Sequence, residues 1–448
     1  MAEPHTQSNE LAFFTSAKPV RLFFRMALPG AVSMVASVLY QFLDGIFVGR
    51  ILGAEAFAAL NLAFPFVIIN FAIADLVGVG SAVPISICLG RQENAEADNI
   101  FSCACILIVA SGAVLGAALY AGAPLFMRLL GAEGGFAARA AEYLRVYALC
   151  SPVTTIVFAM DNYLKICGRV KTSMALNIVM SFLGAGLEFL FLFVFGTGIW
   201  GAAAATCLSM MVCAVLAVIP FARRKMQLRF RLPHFSRRIV ARILSCGTPT
   251  FLSNISGRIT SILMNLLLVR LGGAPAVSIY GMLMYADGFV ISLLYGSIDS
   301  VQPAVGYNYG AGRRDRVRAI EACCFTAAGV LSVVLAAVLF LFPEAITALF
   351  LEDAAGAFRA EAAAAMRIFS LTYLSRWFSF TTQSYMLAIG KSAPASGISV
   401  ATAFVFPVIL LAAFYPAGLT GIWLNFPSTA FLAALLSAAV LIRERRRG

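Results

Sequence analysis

The chain has 448 residues, of which 61% are hydrophobic and 12% charged, with a formal net charge of +12. Soluble domains run at about 45–50% apolar and about 25% charged, so this composition and a mean hydropathy of +0.90 exclude an ordinary water-soluble fold. No stretch has Walker-type GxxxxGK[ST] spacing, which excludes a built-in ATP motor of that kind. A membrane-crossing helix needs about 20 apolar residues. Segments of that kind follow in chain order at roughly 26–49, 57–84, 99–122, 140–164, 172–196, 200–222, 243–270, 277–304, 319–342, 362–388, 394–415 and 419–442. The first is too long for the apolar region of a signal peptide and has no small-residue cleavage site, so it reads as a retained span. The pattern predicts an all-α polytopic membrane protein with twelve transmembrane helices in two pseudo-symmetric six-helix bundles. The expected organisation is a cytoplasmic N-terminal segment (1–25), an N-lobe (26–222), a basic cytoplasmic linker (223–242), a C-lobe (243–442) and a basic tail (443–448).

The basic residues fix the expected topology, because cytoplasmic loops are enriched in Lys and Arg. With the N-terminus inside, 24 of the 33 Lys and Arg fall on inside segments, including eight between Arg223 and Arg242. Seven fall at outside ends: Arg50, Arg128, Arg139, Arg145, Arg270, Arg359 and Arg367. Arg258 and Arg376 fall within helices. This asymmetry predicts a multi-pass protein of the cytoplasmic (inner) membrane with both termini cytoplasmic. It accounts for the positive charge by topology and by contacts with membrane lipids rather than by nucleic acid. The stretch "QPAVGYNYGAGRRDRVR" (302–318) then sits at the cytoplasmic end of the eighth helix. Its Gly and Asn residues predict a tight turn, and its four arginines anchor the loop inside.

An offset of 220 residues lays "GSAVPISICLGRQENAEADN" (80–99) over "SVQPAVGYNYGAGRRDRVRA" (300–319). Gly90 meets Gly310, Arg50 meets Arg270, Gly53 meets Gly273 and Pro29 meets Pro249. "GIWG" (198–201) corresponds to "GIWL" (421–424) at an offset of 223, a drift that implies a small insertion. Six helices per half make this a parallel repeat. Two such bundles rocking about a central cleft give alternating access, the working principle of a secondary transporter.

Enzyme chemistry is not indicated, and no catalytic or metal-binding set emerges. The two histidines, His5 and His234, lie at cytoplasmic positions. The ten cysteines include the close pairs Cys103/Cys105 and Cys323/Cys324, neither with zinc-ligand spacing. They read as small apolar packing residues.

Ionisable side chains inside the spans are the functional candidates, since each costs about 2.5–3.5 kcal/mol to insert. Asp44 lies two-thirds through the first helix, with Tyr40 and Gln41 one turn earlier; a carboxylate beside a phenol and an amide suits a proton or cation. Glu188, in "GAGLEFLFLFVF", requires a partner from another helix. Asp161 has Lys165 at i+4, the spacing of a local ion pair. Asp75, Asp287 and Asp299 either line the cleft or pair with Arg258 or Arg376. Those arginines either hold acids in place or contact an anionic substrate.

Taken together, "DGIFVGRILGAEAFAALNLAFPF" (44–66), "QPAVGYNYGAG" (302–312) and "GIWGAAAAT" (198–206) resemble the multidrug and toxic compound extrusion (MATE) transporters, and among them the MepA-like branch. The resemblance covers residues 20–440. It implies two V-shaped bundles, a monomer, no cofactor, and export of cationic lipophilic drugs in exchange for protons or sodium ions, a basis of antibiotic resistance. It also implies a cation site in the N-lobe, to which Asp44, Glu188 and Thr206 correspond, with Tyr40 beside Asp44. Two departures stand out: the helix-five aspartate is a glutamate here, and the asparagine position four residues before it is Gly184. A sodium ion wants several oxygens around it, so the loss of one favours proton coupling. Arg258 lies near the position of an acidic residue in some relatives, which argues against a cation site in the C-lobe. The competing readings are a sodium-coupled antiporter and a lipid or oligosaccharide flippase of a related superfamily, for which Arg258 and Arg376 would supply a basic cleft.

Overall fold

The computed structural model describes residues 13–129, 134–350 and 356–447; His5 lies outside them. Among the described residues there is no strand. Twelve helical passes follow one another: α1 Pro19–Phe47, α2 Ala54–Gly90, α3 Asn94–Leu129, α4 Gly134–Ile166, α5 Val170–Val194, α6 Ile199–Ala222, α7 237–272, α8 274–310, α9 Arg314–Leu341, α10 356–388, α11 392–417 and α12 Gly418–Arg447. The pass α7–α8 is one 74-residue helical run, and α11–α12 one of 55 residues. Each run is broken by a glycine in the left-handed region, Gly273 (φ 63) and Gly418 (φ 62). There a side chain would clash with its own backbone. α10 holds Arg359, Glu361, Arg367 and Arg376, and it breaks at 371–372.

The internal repeat is visible in the backbone. Gly53 and Gly273 both have positive φ immediately before α2 and α8, and Gly198, immediately before α6, and Gly418, the first residue of α12, do the same. The last pair is 220 residues apart, whereas the Ile-Trp pairs are 223 apart. The insertion is therefore about one helical turn at the start of α12. A whole turn preserves the face, and Ile199 and Ile422 are both buried.

The two bundles meet where glycines let backbones touch. A Cβ on Gly30 of α1 would strike the Gly296 carbonyl of α8, and one on Gly247 of α7 would strike the Leu76 carbonyl of α2. The repeat-related Gly90 and Gly310 face the Tyr307 and Ile87 carbonyls in the same way. All of these lie toward the face where the described chain begins and ends, here the terminal face; the opposite one is the distal face.

The sequence "GYNYG" predicts a turn, but the structure continues α8 through Gly310, and the reversal occupies 311–313, with Gly312 at φ 72. Gly306 and Gly310 serve close packing against Ser86 and Ile87 rather than a bend. The arginines that follow bind the start of the chain. Arg316 donates to the carbonyls of Phe14 (3.1 Å) and Ala17 (2.7 Å), Arg313 to that of Thr15 (3.0 Å), and Asn308 to that of Phe14 (3.0 Å).

The basic linker is extended only to Ser236, whose hydroxyl caps the next helix by accepting from the Ile239 amide; the helix thus begins at Arg237. The extended part is pinned to the start of α3. Asp98 takes the Arg229 amide (2.9 Å) and the Arg231 guanidinium (2.9 Å), and Asn99 exchanges two bonds with the His234 backbone.

Candidate functional site

Three N-lobe helices converge on the pair predicted from sequence. α1 supplies Asp44 and Tyr40, α5 supplies Glu188, and α6 supplies Thr206. Two local features set their directions. Glu188 lies two residues before a π-turn at Leu190–Val194, and Asp44 four residues before another at Val48–Leu52. Such wide turns re-aim side chains and recur at functional sites.

Glu188 is fully buried, and neither of its carboxylate oxygens meets a hydrogen-bond donor. The group against it is the Asp44 carboxyl. Two acceptors therefore face each other in the apolar interior of the bundle. The Tyr40 hydroxyl lies 2.7 Å from the Thr206 hydroxyl, tying α1 to α6 beside this pair. Gly184, one turn before Glu188, makes room for the phenol: a Cβ there would sit 3.0 Å from Tyr40 Cε2 and Cζ and 3.2 Å from its oxygen. Tyr143 and Tyr147 of α4 stand near Asp44, their rings 5.2 Å apart. Gln41, adjacent to Tyr40, is exposed.

Asp161, Asp287 and Asp299 are accounted for by partners. Asp161 accepts from Lys165 (2.6 Å), Ser173 (2.5 Å) and Asn177 (2.8 Å), a saturated network between α4 and α5. In the C-lobe, one oxygen of Asp287 accepts from Arg376 (2.7 Å) and from the Tyr373 hydroxyl (2.7 Å). Asp299 pairs with no arginine; it accepts from Gln302 (2.8 Å) and Ser384 (2.7 Å). Asp75 lies near Asp161 and, across the lobe boundary, Tyr295. Arg258 is exposed and interacts with Tyr280; among the described residues no ion pair joins it to Asp75, Asp287 or Asp299.

Several of these partners carried no sequence signal. Ser173, Asn177, Tyr373 and Ser384 are ordinary helix residues until the fold sets them against an acid. Tyr143 and Tyr147 had one available signal, a one-turn aromatic spacing in a predicted span. Cys150 and Cys207, 57 positions apart in sequence, stand in side-chain contact between α4 and α6.

A family model described as MatE matches residues 29–190 and 249–412, one stretch in each lobe. Over 445 residues the chain is 25% identical to the multidrug export protein MepA of Staphylococcus aureus (strain NCTC 8325 / PS 47), spanning 98% of this chain and 97% of the relative. It is 23% identical over 340 residues to MepA of Staphylococcus saprophyticus, 74% of each chain. The fold matches that of a MATE protein crystallised with MaL6, with a TM-score of 0.91, 23% identity and 97% of both chains covered. It matches equally an outward-facing multidrug resistance MATE transporter of the MOP superfamily, with the same TM-score, identity and coverage.

Proposed function

The chain belongs to the MatE family, whose members are transporters and not enzymes, and from that premise we propose that it exports cationic lipophilic drugs by antiport with protons, coupled at Asp44 and Glu188. The observation that carries this reading is the facing carboxyl pair: Glu188 is fully buried and neither of its oxygens meets a donor. A proton shared between the two carboxyls converts an acceptor–acceptor contact into an O–H···O hydrogen bond, a strong one when an acceptor is charged. A sodium ion at the same place would want several oxygens. Gly184 offers no side chain, and Tyr40 packs into the space it leaves with its hydroxyl already engaged by Thr206.

The cycle follows from charge. Two membrane-embedded carboxylates favour a cationic substrate in the cleft. Protonation from the outside removes that charge and the substrate leaves. Return of the lobes to the inward-facing arrangement delivers the proton to the cytoplasm and restores affinity. The abundant Phe and Met residues (37 and 15) give an adaptable apolar cleft wall. The bias of basic residues supports cytoplasmic termini in an inner-membrane protein, and on that reading the backbone contacts on the terminal face seal the cytoplasmic side. With its proposed coupling site inside one lobe, the transporter works as a monomer.

The test is reconstitution in liposomes with ethidium, imposing pH and sodium gradients separately, with Asp44→Asn as the comparison. Dye movement driven by the pH gradient alone and lost in Asp44→Asn supports the proposal. Movement driven by sodium alone refutes the coupling ion, and movement under neither gradient returns the flippase reading, to be followed with labelled lipid-linked substrates.

A further inference from the structure

The distal ends of α3 and α4 carry charge that the transport cycle leaves unused. α3 spans 36 residues, about 54 Å at 1.5 Å per residue, against a hydrocarbon layer of about 30 Å. Its distal turns therefore stand among lipid headgroups. A cavity of about 980 Å³ opens there, lined by Tyr120, Arg128, Glu142, Arg145, Leu149 and Trp200 among others. Arg145 is held in place: its Nε donates to the Tyr120 carbonyl at 3.4 Å, and its guanidinium lies 5.5 Å from the Tyr120 ring centroid. Leu149, Tyr120 and Trp200 are 73%, 49% and 42% exposed, an apolar and interfacial lip rather than a packed core. Tyr and Trp concentrate at the headgroup level of membrane proteins.

The arginines stand on the side where basic residues are sparse in this chain. Three of the seven distal arginines belong to this one hairpin, Arg128, Arg139 and Arg145. Arg139 repeats at the 220-residue offset as Arg359, but the cavity residues Arg128, Glu142 and Arg145 do not. The 220-residue offset from Arg128, Glu142 and Arg145 lands on Ala348, Ala362 and Ala365. Two guanidiniums and one carboxylate around an aromatic-lipped cavity match a headgroup bearing one phosphodiester and one ammonium.

We propose that this cavity binds a phosphatidylethanolamine from the distal leaflet. Arg145 and Arg128 take the phosphodiester, Glu142 takes the primary ammonium, and the acyl chains descend past Leu149. Arginine suits a phosphate because its planar fork donates two parallel bonds. A primary ammonium donates hydrogen bonds to Glu142 that a quaternary choline lacks, and a glycerol headgroup brings no positive charge at all. The inference is independent of the coupling ion.

The experiment is native mass spectrometry of the full-length protein in mild detergent, offered equal amounts of phosphatidylethanolamine, phosphatidylglycerol and phosphatidylcholine with identical acyl chains. The ethanolamine lipid is expected to be retained over the other two. Arg145→Gln and Arg128→Gln should each lower its retention about tenfold, the scale of one lost charge-assisted hydrogen bond. Glu142→Gln should erase the preference over phosphatidylglycerol while lipid still binds. Arg270→Gln, at the distal end of the C-lobe, should change nothing. Equal retention of the three lipids by the unmodified protein overturns the proposal, as does undiminished retention by the Arg128→Gln/Arg145→Gln double variant. Size-exclusion profiles monitor folding; if a variant unfolds, the three-lipid competition on the unmodified protein decides alone.

Discussion

Gly184→Ala isolates the geometry of the proposed coupling site with a single methyl group. The new Cβ would lie 3.0 Å from two carbons of the Tyr40 ring and 3.2 Å from its oxygen. Both side chains are on packed helices, so the phenol must give by a few tenths of an ångström, which strains its 2.7 Å contact with Thr206. Overpacking of a filled site costs about 1–3 kcal/mol, and weakening of the hydrogen bond adds at most about 0.5–1.5 kcal/mol. The expected outcome is a protein that still reaches the membrane, melts at a lower temperature in detergent, and loses most proton-driven ethidium efflux. Tyr40→Ala in the same chain removes the clash and should return the melting temperature toward that of Tyr40→Ala alone. Replacing Gly184 by Asn in the Tyr40→Ala background restores a side-chain oxygen where the resemblance expects one, and should introduce a sodium-dependent component of efflux. Unchanged stability and transport in Gly184→Ala would mean the phenol moves freely, and the argument that Tyr40 fills a vacated ligand position would fail.

Three further outcomes follow from contacts elsewhere. Arg376→Met should destabilise the protein by up to about 3–5 kcal/mol, the cost of breaking a buried pair, because it leaves Asp287 with Tyr373 as its remaining donor. Adding Asp287→Leu should recover most of that loss in a detergent melt. Arg316→Ala removes charge-assisted bonds to the Phe14 and Ala17 carbonyls, each worth roughly 1.5–3 kcal/mol when fully formed; limited proteolysis should cut the N-terminal segment faster. Gly310→Ala drives a methyl into the Ile87 carbonyl at the lobe seam. It should expose Cys246, which lines a terminal-face cavity of about 330 Å³ with Arg242 and Lys391, and so raise its labelling by a water-soluble maleimide.

What could be read from sequence follows the range of each interaction. Helix-length apolar runs are local, so the twelve passes were legible. Lys165 at i+4 from Asp161 is local too, and the ion pair follows from helical spacing. The Asp287–Arg376 pair, 89 positions apart, was one option among several, because sequence does not say which faces of α8 and α10 meet. The "GYNYG" segment misled for a physical reason. Glycine serves both turns and close helix crossings, and nothing local distinguishes the two; a partner carbonyl from α2 decided it. Resemblance pointed to Asp44, Glu188, Tyr40 and Thr206 as neighbours. That Tyr40 rests on Gly184 was beyond it, because it depends on a contact between α1 and α5.

The repeat sharpens where coupling can reside. Applied to Asp44, the 220-residue offset reaches Met264, which is buried. Applied to Glu188 it reaches Val408. The duplicated scaffold keeps its glycine breaks and glycine crossings in both halves, yet the C-lobe counterpart of the acid pair is apolar. The C-lobe's own acids lie elsewhere and are already bonded, Asp287 to Arg376 and Tyr373, Asp299 to Gln302 and Ser384. A proton arriving on the second oxygen of Asp287 or Asp299 displaces no donor, but it cancels the charge to which the existing donors are bonded and so weakens those bonds. A proton arriving between Asp44 and Glu188 displaces none of Glu188's bonds and makes a new one. The proposed coupling thus belongs to one lobe, and in the proposed cycle a rocking movement that exposes that lobe's acids alternately to the two sides couples both halves.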